Sequence, residues 1–135
     1  MGEQDGLNWV ERRQRAEKHL TDSKSVIWHD LCASLTDASR SFNKLYGGKS
    51  EATARNGHRF RVVIDLGDRK RQVDLDFDEE ACTIIAEYDA SPVGSKRFGL
   101  KADHLSAFIL DVDGNRLTPD KVSERILTAS FFSGR

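Results

Sequence analysis

Arg59-Phe60-Arg61-Val62-Val63-Ile64-Asp65-Leu66, followed after a short turn by Val73-Asp74-Leu75-Asp76-Phe77-Asp78, decides how this chain folds. In the first run Phe60, Val62, Ile64 and Leu66 alternate with Arg61, Val63 and Asp65. In the second, Val73, Leu75 and Phe77 alternate with aspartates. Successive strand side chains point to opposite faces, so both runs read as strands of an antiparallel sheet with one dry and one wet face. Gly67-Asp68-Arg69 turns the chain between them.

Working outward, the same writing continues. Strands are expected over about 59–66, 71–77, 82–88, 96–101 and 105–112. Ile84, Ala86 and Tyr88 share the dry face, as do Phe98 and Leu100. In the last strand Phe108, Leu110 and Val112 are read as inward, with Ala107 and Ile109 facing out. A loop containing Ser91-Pro92-Val93-Gly94 separates the third strand from the fourth. Asp113-Gly114 is a favoured hairpin dipeptide, so Arg116-Leu117 reads as a short return strand.

Helices flank this meander. Residues 7–46 contain neither glycine nor proline. Trp28, Leu31, Leu35, Ala38, Phe42 and Leu45 recur at steps of three and four and form one stripe, which Ile27 and Cys32 widen. Trp9, Arg13, Ala16 and Leu20 share a more polar face. Thr21-Asp22-Ser23 can cap a new helix or lie within a continuous one, and two helical segments in line are the favoured expectation. Gly47-Gly48 ends the second of them, and the polar residues 47–58 read as a loop. Thr118-Pro119-Asp120 opens the last helix with a hydroxyl cap and proline at the first position. Val122, Ile126 and Ala129 supply its stripe, and Phe131-Phe132 is too apolar to hang in water. The fold class is therefore α+β: an antiparallel meander of about five strands, with a long N-terminal and a short C-terminal helix packed on one face. Residues 1–24 read as a polar helical arm and 25–135 as a single domain. The core is expected at Leu35, Phe42, Ile64, Leu75 and Ile126.

Composition narrows the function class. The 135 residues suffice for one domain with a real core. The net charge is −1, from 21 basic and 22 acidic residues, and gives no drive towards nucleic acid or an anionic membrane. Residues 51–90 hold six basic and ten acidic side chains, so the central strands are locally acidic. No apolar run nears the ~18 residues of a membrane span. Met1-Gly2-Glu3-Gln4-Asp5 lacks the basic and apolar parts of a signal peptide, and Gly6 stands where a myristoylation signal needs Ser or Thr. Cys32 and Cys82 lie beside apolar positions and read as buried thiols, with a reducing cytoplasm as the expected compartment.

The chemistry-bearing residues form no recognised set. Asp74, Asp76 and Asp78 with Glu79 and Glu80 are the densest carboxylates, but Glu79 occupies the place of the glycine in a calcium loop, and Ile85 that of its last glutamate. Asp111-Val112-Asp113-Gly114-Asn115 fails in a similar way. These acids read instead as a solvated strand face opposite Arg59, Arg61 and Arg71. His19, His29, His58 and His104 lack the spacing of a zinc motif, so no zinc and no other cofactor is expected. Gly47-Gly48-Lys49-Ser50 lacks the upstream glycine of a phosphate loop. Arg12-Arg13-Gln14-Arg15 and Arg69-Lys70-Arg71 are interleaved with acids and read as solvated surface.

Two surfaces remain. Val63, Ile85, Ala107 and Ile109 are expected on the outer sheet face as an association patch, with Arg61 and Glu87 setting the register of a two-fold pair. Trp28, Phe42, Tyr88 and Phe98 are expected to line a pocket between long helix and sheet, suited to a small molecule or lipid. The leading expectation is a small, non-enzymatic binding or assembly module with a protein partner or a second copy. A small-molecule or lipid binder comes next and an enzyme third. No catalytic residue is assigned, and neither nucleic acid nor membrane is an expected partner.

Overall fold

Asn8 starts the first helix by a reciprocal device. Its side chain accepts a hydrogen bond from the Glu11 backbone N–H at 2.9 Å, and the Glu11 carboxylate accepts one from the Asn8 N–H at 3.3 Å. Helix α1 then runs unbroken over Trp9–Tyr46 and stops at Gly47, whose left-handed backbone (φ 64°) suits glycine. The chain is seen here in a computed structural model that describes residues 8–47, 49–65, 67, 70–89 and 94–131. The readings placed on residues 1–7, Gly48, Leu66, Asp68-Arg69, Ser91-Pro92-Val93 and Phe132 lie outside the described residues, as does the Phe131 side chain.

The strands are β1 (Lys49–Asn56), β2 (Arg59–Asp65), β3 (Lys70–Asp78), β4 (Thr83–Tyr88), β5 (Ser95–Ala102), β6 (Ala107–Leu110) and β7 (Arg116–Leu117), followed by helix α2 (Pro119–Phe131). All seven strands join one antiparallel sheet in chain order. Strands that follow one another in the sequence are therefore neighbours in the sheet. Helix α2 opens as its sequence implies, with the Thr118 hydroxyl accepting from the Lys121 N–H at 3.2 Å.

The dry face is the one the alternation marks. Phe60, Val62, Val73, Leu75, Phe77, Ile84, Ala86, Phe98 and Leu100 are buried in a single core with Trp28, Leu31 and Leu35 of α1 and Val122, Ile126 and Leu127 of α2, and Ile64 is buried on the same face. The five residues expected at the core are all buried. Trp28 stacks on Phe77 with ring centroids 5.4 Å apart and donates its indole N–H to the Gly57 carbonyl at 2.9 Å. Tyr88 reaches α2 and donates its hydroxyl to the Ile126 carbonyl at 2.7 Å.

Four expectations are corrected. First, α1 is one helix, not two segments: Thr21, Asp22 and Ser23 lie within it, because capping side chains permit a helix start without imposing one. His19 and Leu20, before that point, already reach the body: the His19 ring lies 3.1 Å from the His104 carbonyl, and Leu20 packs on the core. Second, residues 49–56 of the expected loop form the edge strand β1. Its inward residues are Ser50, Ala52 and Ala54, paired with Ile64, Val62 and Phe60. Small side chains suit this strand because α1 packs against it, with Ser39 donating to the Ser50 hydroxyl at 2.6 Å in a buried contact. Third, Ser39 takes a place on the buried helix stripe, while Leu45 is 75% exposed. Fourth, the phase of β6 is reversed. Ile109 pairs with Leu100 and is 1% exposed, whereas Val112 lies beyond the strand and is 79% exposed. Ala107-Phe108-Ile109-Leu110 is apolar in both phases, so alternation alone cannot orient it.

Candidate functional site

Both helices cover the same sheet face, and among the described residues nothing covers the other face. Its centre is a charge ladder across β2, β3 and β4. Arg61 pairs with Asp74 at 2.6 Å, Gln72 donates to the other Asp74 oxygen at 2.8 Å, and Arg59 lies 4.0 Å from Asp76. Burial alone would raise the Asp74 carboxyl. Hydrogen bonds from Arg61 and Gln72, and the charges of Arg61 and Arg55, outweigh it and hold the group below its ordinary value. Arg55, Arg59, Arg61, Asp74, Asp76 and Glu87 surround a shallow polar depression of about 250 Å³.

The expected association patch divides between the two faces. Val63 and Ile85 lie half-buried on the outer face, Val63 opposite Gln72 and Ile85 opposite Asp76. They are separated by the polar β3 strand and do not touch as a patch. Ile109 belongs to the core, and Ala107 shares its inward phase. The outward apolar residues of β6 are Phe108 and Leu110; the Arg116 guanidinium covers Phe108 at 3.7 Å from its ring centroid.

The expected pocket residues are likewise distributed. Trp28 and Phe98 are packed core, Tyr88 is bonded to α2, and Phe42 borders a concavity. That concavity lies between the two helices, not between helix and sheet. It is an open groove of about 330 Å³ above Ala38, Phe42, Leu45 and Leu127, with Ser34, Ser41, Ser123 and Thr128 on its walls. Ser34 donates to Asp120 at 2.7 Å across one end.

Two features escaped the sequence reading. Arg71, expected on the outer face, lies opposite Ile64 on the inner one, only 9% exposed, and its Nε has no hydrogen-bond partner. The other is the edge of β1, which among the described residues pairs with no further strand. Asn43 of α1 donates its amide to the Ser50 carbonyl at 2.9 Å and accepts from the Ser50 N–H at 2.5 Å, acting as a one-residue stand-in for a neighbouring strand. The fact that Ser50 presents both backbone groups off the sheet fixes the phase of the edge.

Titratable groups elsewhere are held by turns. The Asp111 carboxyl accepts from the Asn115 N–H and side chain, from Arg125 and from the Asp113 N–H, and is pulled down to about 2. Asp103 is also lowered, by the N–H groups of Ser106 and Leu105 with help from Arg116. A depressed carboxylate stabilises the fold fully above its unfolded value and loses that contribution as pH falls through its folded one. The β6–β7 hairpin should therefore stay intact at pH 4 and loosen near pH 2. Carboxyl NMR titration checks this, and an ordinary midpoint for Asp111 would show that the turn does not grip it. The Cys32 thiol is pushed up to about 12 by burial and is a neutral thiol at physiological pH. His58 lies 3.0 Å from Glu79 and lowers that carboxyl, on an exposed surface.

Among the described residues no three His, Cys, Asp or Glu side chains converge on a common metal position, and no helix is long and apolar enough to cross a membrane. Comparison with protein-family models, with curated proteins and with solved structures finds no match to this chain.

Proposed function

We propose that the chain is a non-enzymatic binding or assembly module that works by presenting its sheet to another polypeptide, in the first instance a second copy of itself. One observation carries this reading: both helices cover one face of a seven-stranded sheet, and among the described residues nothing covers the opposite face or the edge of β1 beyond Ser50, which Asn43 holds. An uncovered edge offers unmatched backbone groups, and a charged open face offers register. A net charge of −1 opposes pairing of two copies little.

Light scattering at micromolar to millimolar concentration tests the reading. The expected mass is about twice 15.2 kDa, with a concentration-dependent approach to it. A mass that stays near 15.2 kDa throughout overturns self-assembly. A second reading, a binder of a small apolar molecule, is favoured by the concavity between the helices, whose volume falls at the low end of ligand sites.

A further inference from the structure

We propose that two copies of this chain join edge to edge through β1, antiparallel, with Thr53 of one copy opposite Thr53 of the other, so that one sheet runs continuously across a two-fold axis. This rests on the assembly reading above and names its surface, which is the edge and not the outer face.

The backbone phase comes first. Lys49, Glu51 and Thr53 pair with Asp65, Val63 and Arg61, and Ser50 pairs with Ile64. In an antiparallel ladder bonded and non-bonded pairs alternate. Ser50 turns its N–H and C=O to Asn43, so it is a non-bonded partner of β2. Ala52 and Ala54 share its phase, and their N–H and C=O therefore also point off the sheet. Asn43 satisfies Ser50, and an irregularity between Ala54 and Asn56 ends the regular strand on the other side. The template is thus Ala52-Thr53-Ala54, bounded at both ends.

Only one two-fold register uses this template fully. With Thr53 facing Thr53, Ala52 of each copy meets Ala54 of the other as a bonded pair, and every off-edge group of both alanines finds a partner. Centring the pair on Ala52 would call on Ser50, whose groups Asn43 already holds. Centring it on Ala54 would pair Ala52 with Asn56, beyond the irregularity. Charge selects the same register: Glu51 of each copy falls opposite Arg55 of the other. Arg55 is on the outer face, since it borders the polar depression and lowers Asp74. Glu51, Thr53 and Arg55 are all exposed in the single chain.

The inner side of the join carries only methyl groups, from Ala52 and Ala54. Asn43 shows which flank of α1 leans over this edge. Cys32 and Thr36 lie on the same flank at helical spacing, with the exposed His29 and Arg40 beside them, so the second copy's helix meets a mixed, largely polar flank there.

Charge reversal with rescue is the test, read as the dimer dissociation constant by sedimentation or light scattering. Glu51→Arg alone sets Arg against Arg, and Arg55→Glu alone sets Glu against Glu. Each should weaken association about tenfold or more, and the double variant should return it to within about threefold of the parent. Ala52→Pro removes an off-edge donor and should abolish the dimer; a circular dichroism spectrum and urea midpoint matching the parent's, both taken at concentrations where the parent is dissociated, would show the monomer intact, because by its phase that N–H points away from β2. Ile85→Glu, on the outer face three strands from this edge, should leave association unchanged. A dimer that survives Ala52→Pro, or one for which the double variant gives no rescue, overturns the edge pairing and leaves assembly standing. A monomeric parent overturns both.

Discussion

Trp28→Ala is expected to cost about 3–5 kcal/mol, the range for removing a buried aromatic side chain from a core. Trp28 is buried on α1 and touches two parts of the sheet at once: its ring stacks on Phe77 of β3 and its indole N–H is bonded to Gly57 between β1 and β2. Removing it opens a cavity where helix, sheet centre and first hairpin meet. Single domains are stable by roughly 5–15 kcal/mol, so this one change should take about a fifth of the total or more. Trp28→Phe keeps most of the apolar area and loses the hydrogen bond, at a cost of about 1 kcal/mol. Urea unfolding checks both. A midpoint for Trp28→Ala within error of the parent would show that α1 does not pack on the sheet in this way. In a Trp9→Phe background, tryptophan fluorescence reports Trp28 alone.

The strands most readable in the sequence are those with large apolar residues in one phase only. Phe60, Val62 and Ile64, and Val73, Leu75 and Phe77, left no choice of face, and those strands and their burial are as the alternation implies. Legibility fails where that asymmetry is missing. Ala107-Phe108-Ile109-Leu110 is apolar on both sides, and the phase was decided by pairing with β5 and by Arg116 lying over Phe108. Ser50-Glu51-Ala52-Thr53-Ala54 has no large apolar residue at all. Its strand character comes from β2 beside it and α1 against it, neither of which is local information. Alternating small residues before a strong strand were the available signal.

The candidate site was less legible than the fold. The outer patch needed Ile109 to face out, and one residue of strand phase removed it. Glu51 and Arg55 stand four residues apart, a spacing that means little until the strand, its phase and its free edge are known. Arg71 was hidden for a different reason. Beside Arg69 and Lys70, and near a run of acids, it reads as surface charge; its position opposite Ile64 puts it inside.

Arg71→Met should therefore raise stability, by about 1–3 kcal/mol. In the unfolded chain the guanidinium is fully hydrated. In the folded chain Arg71 is 9% exposed and its Nε is closed off from solvent without an acceptor. Among the described residues no carboxylate pairs with it. Burying a hydrogen-bond donor without a partner costs about 1–3 kcal/mol, and a charged one more. Methionine has a similar length and flexibility, fills the same space against Ile64 and its neighbours, and brings no charge to desolvate. Arg71→Ala should gain less, because the relief of desolvation is offset by the cavity it leaves. The urea midpoint of each variant decides the matter, with Arg71→Met above the parent and Arg71→Ala below Arg71→Met. A fall in midpoint for Arg71→Met would show that the guanidinium has an acceptor in the folded protein, and would turn this buried cation from a liability of the fold into one of its anchors.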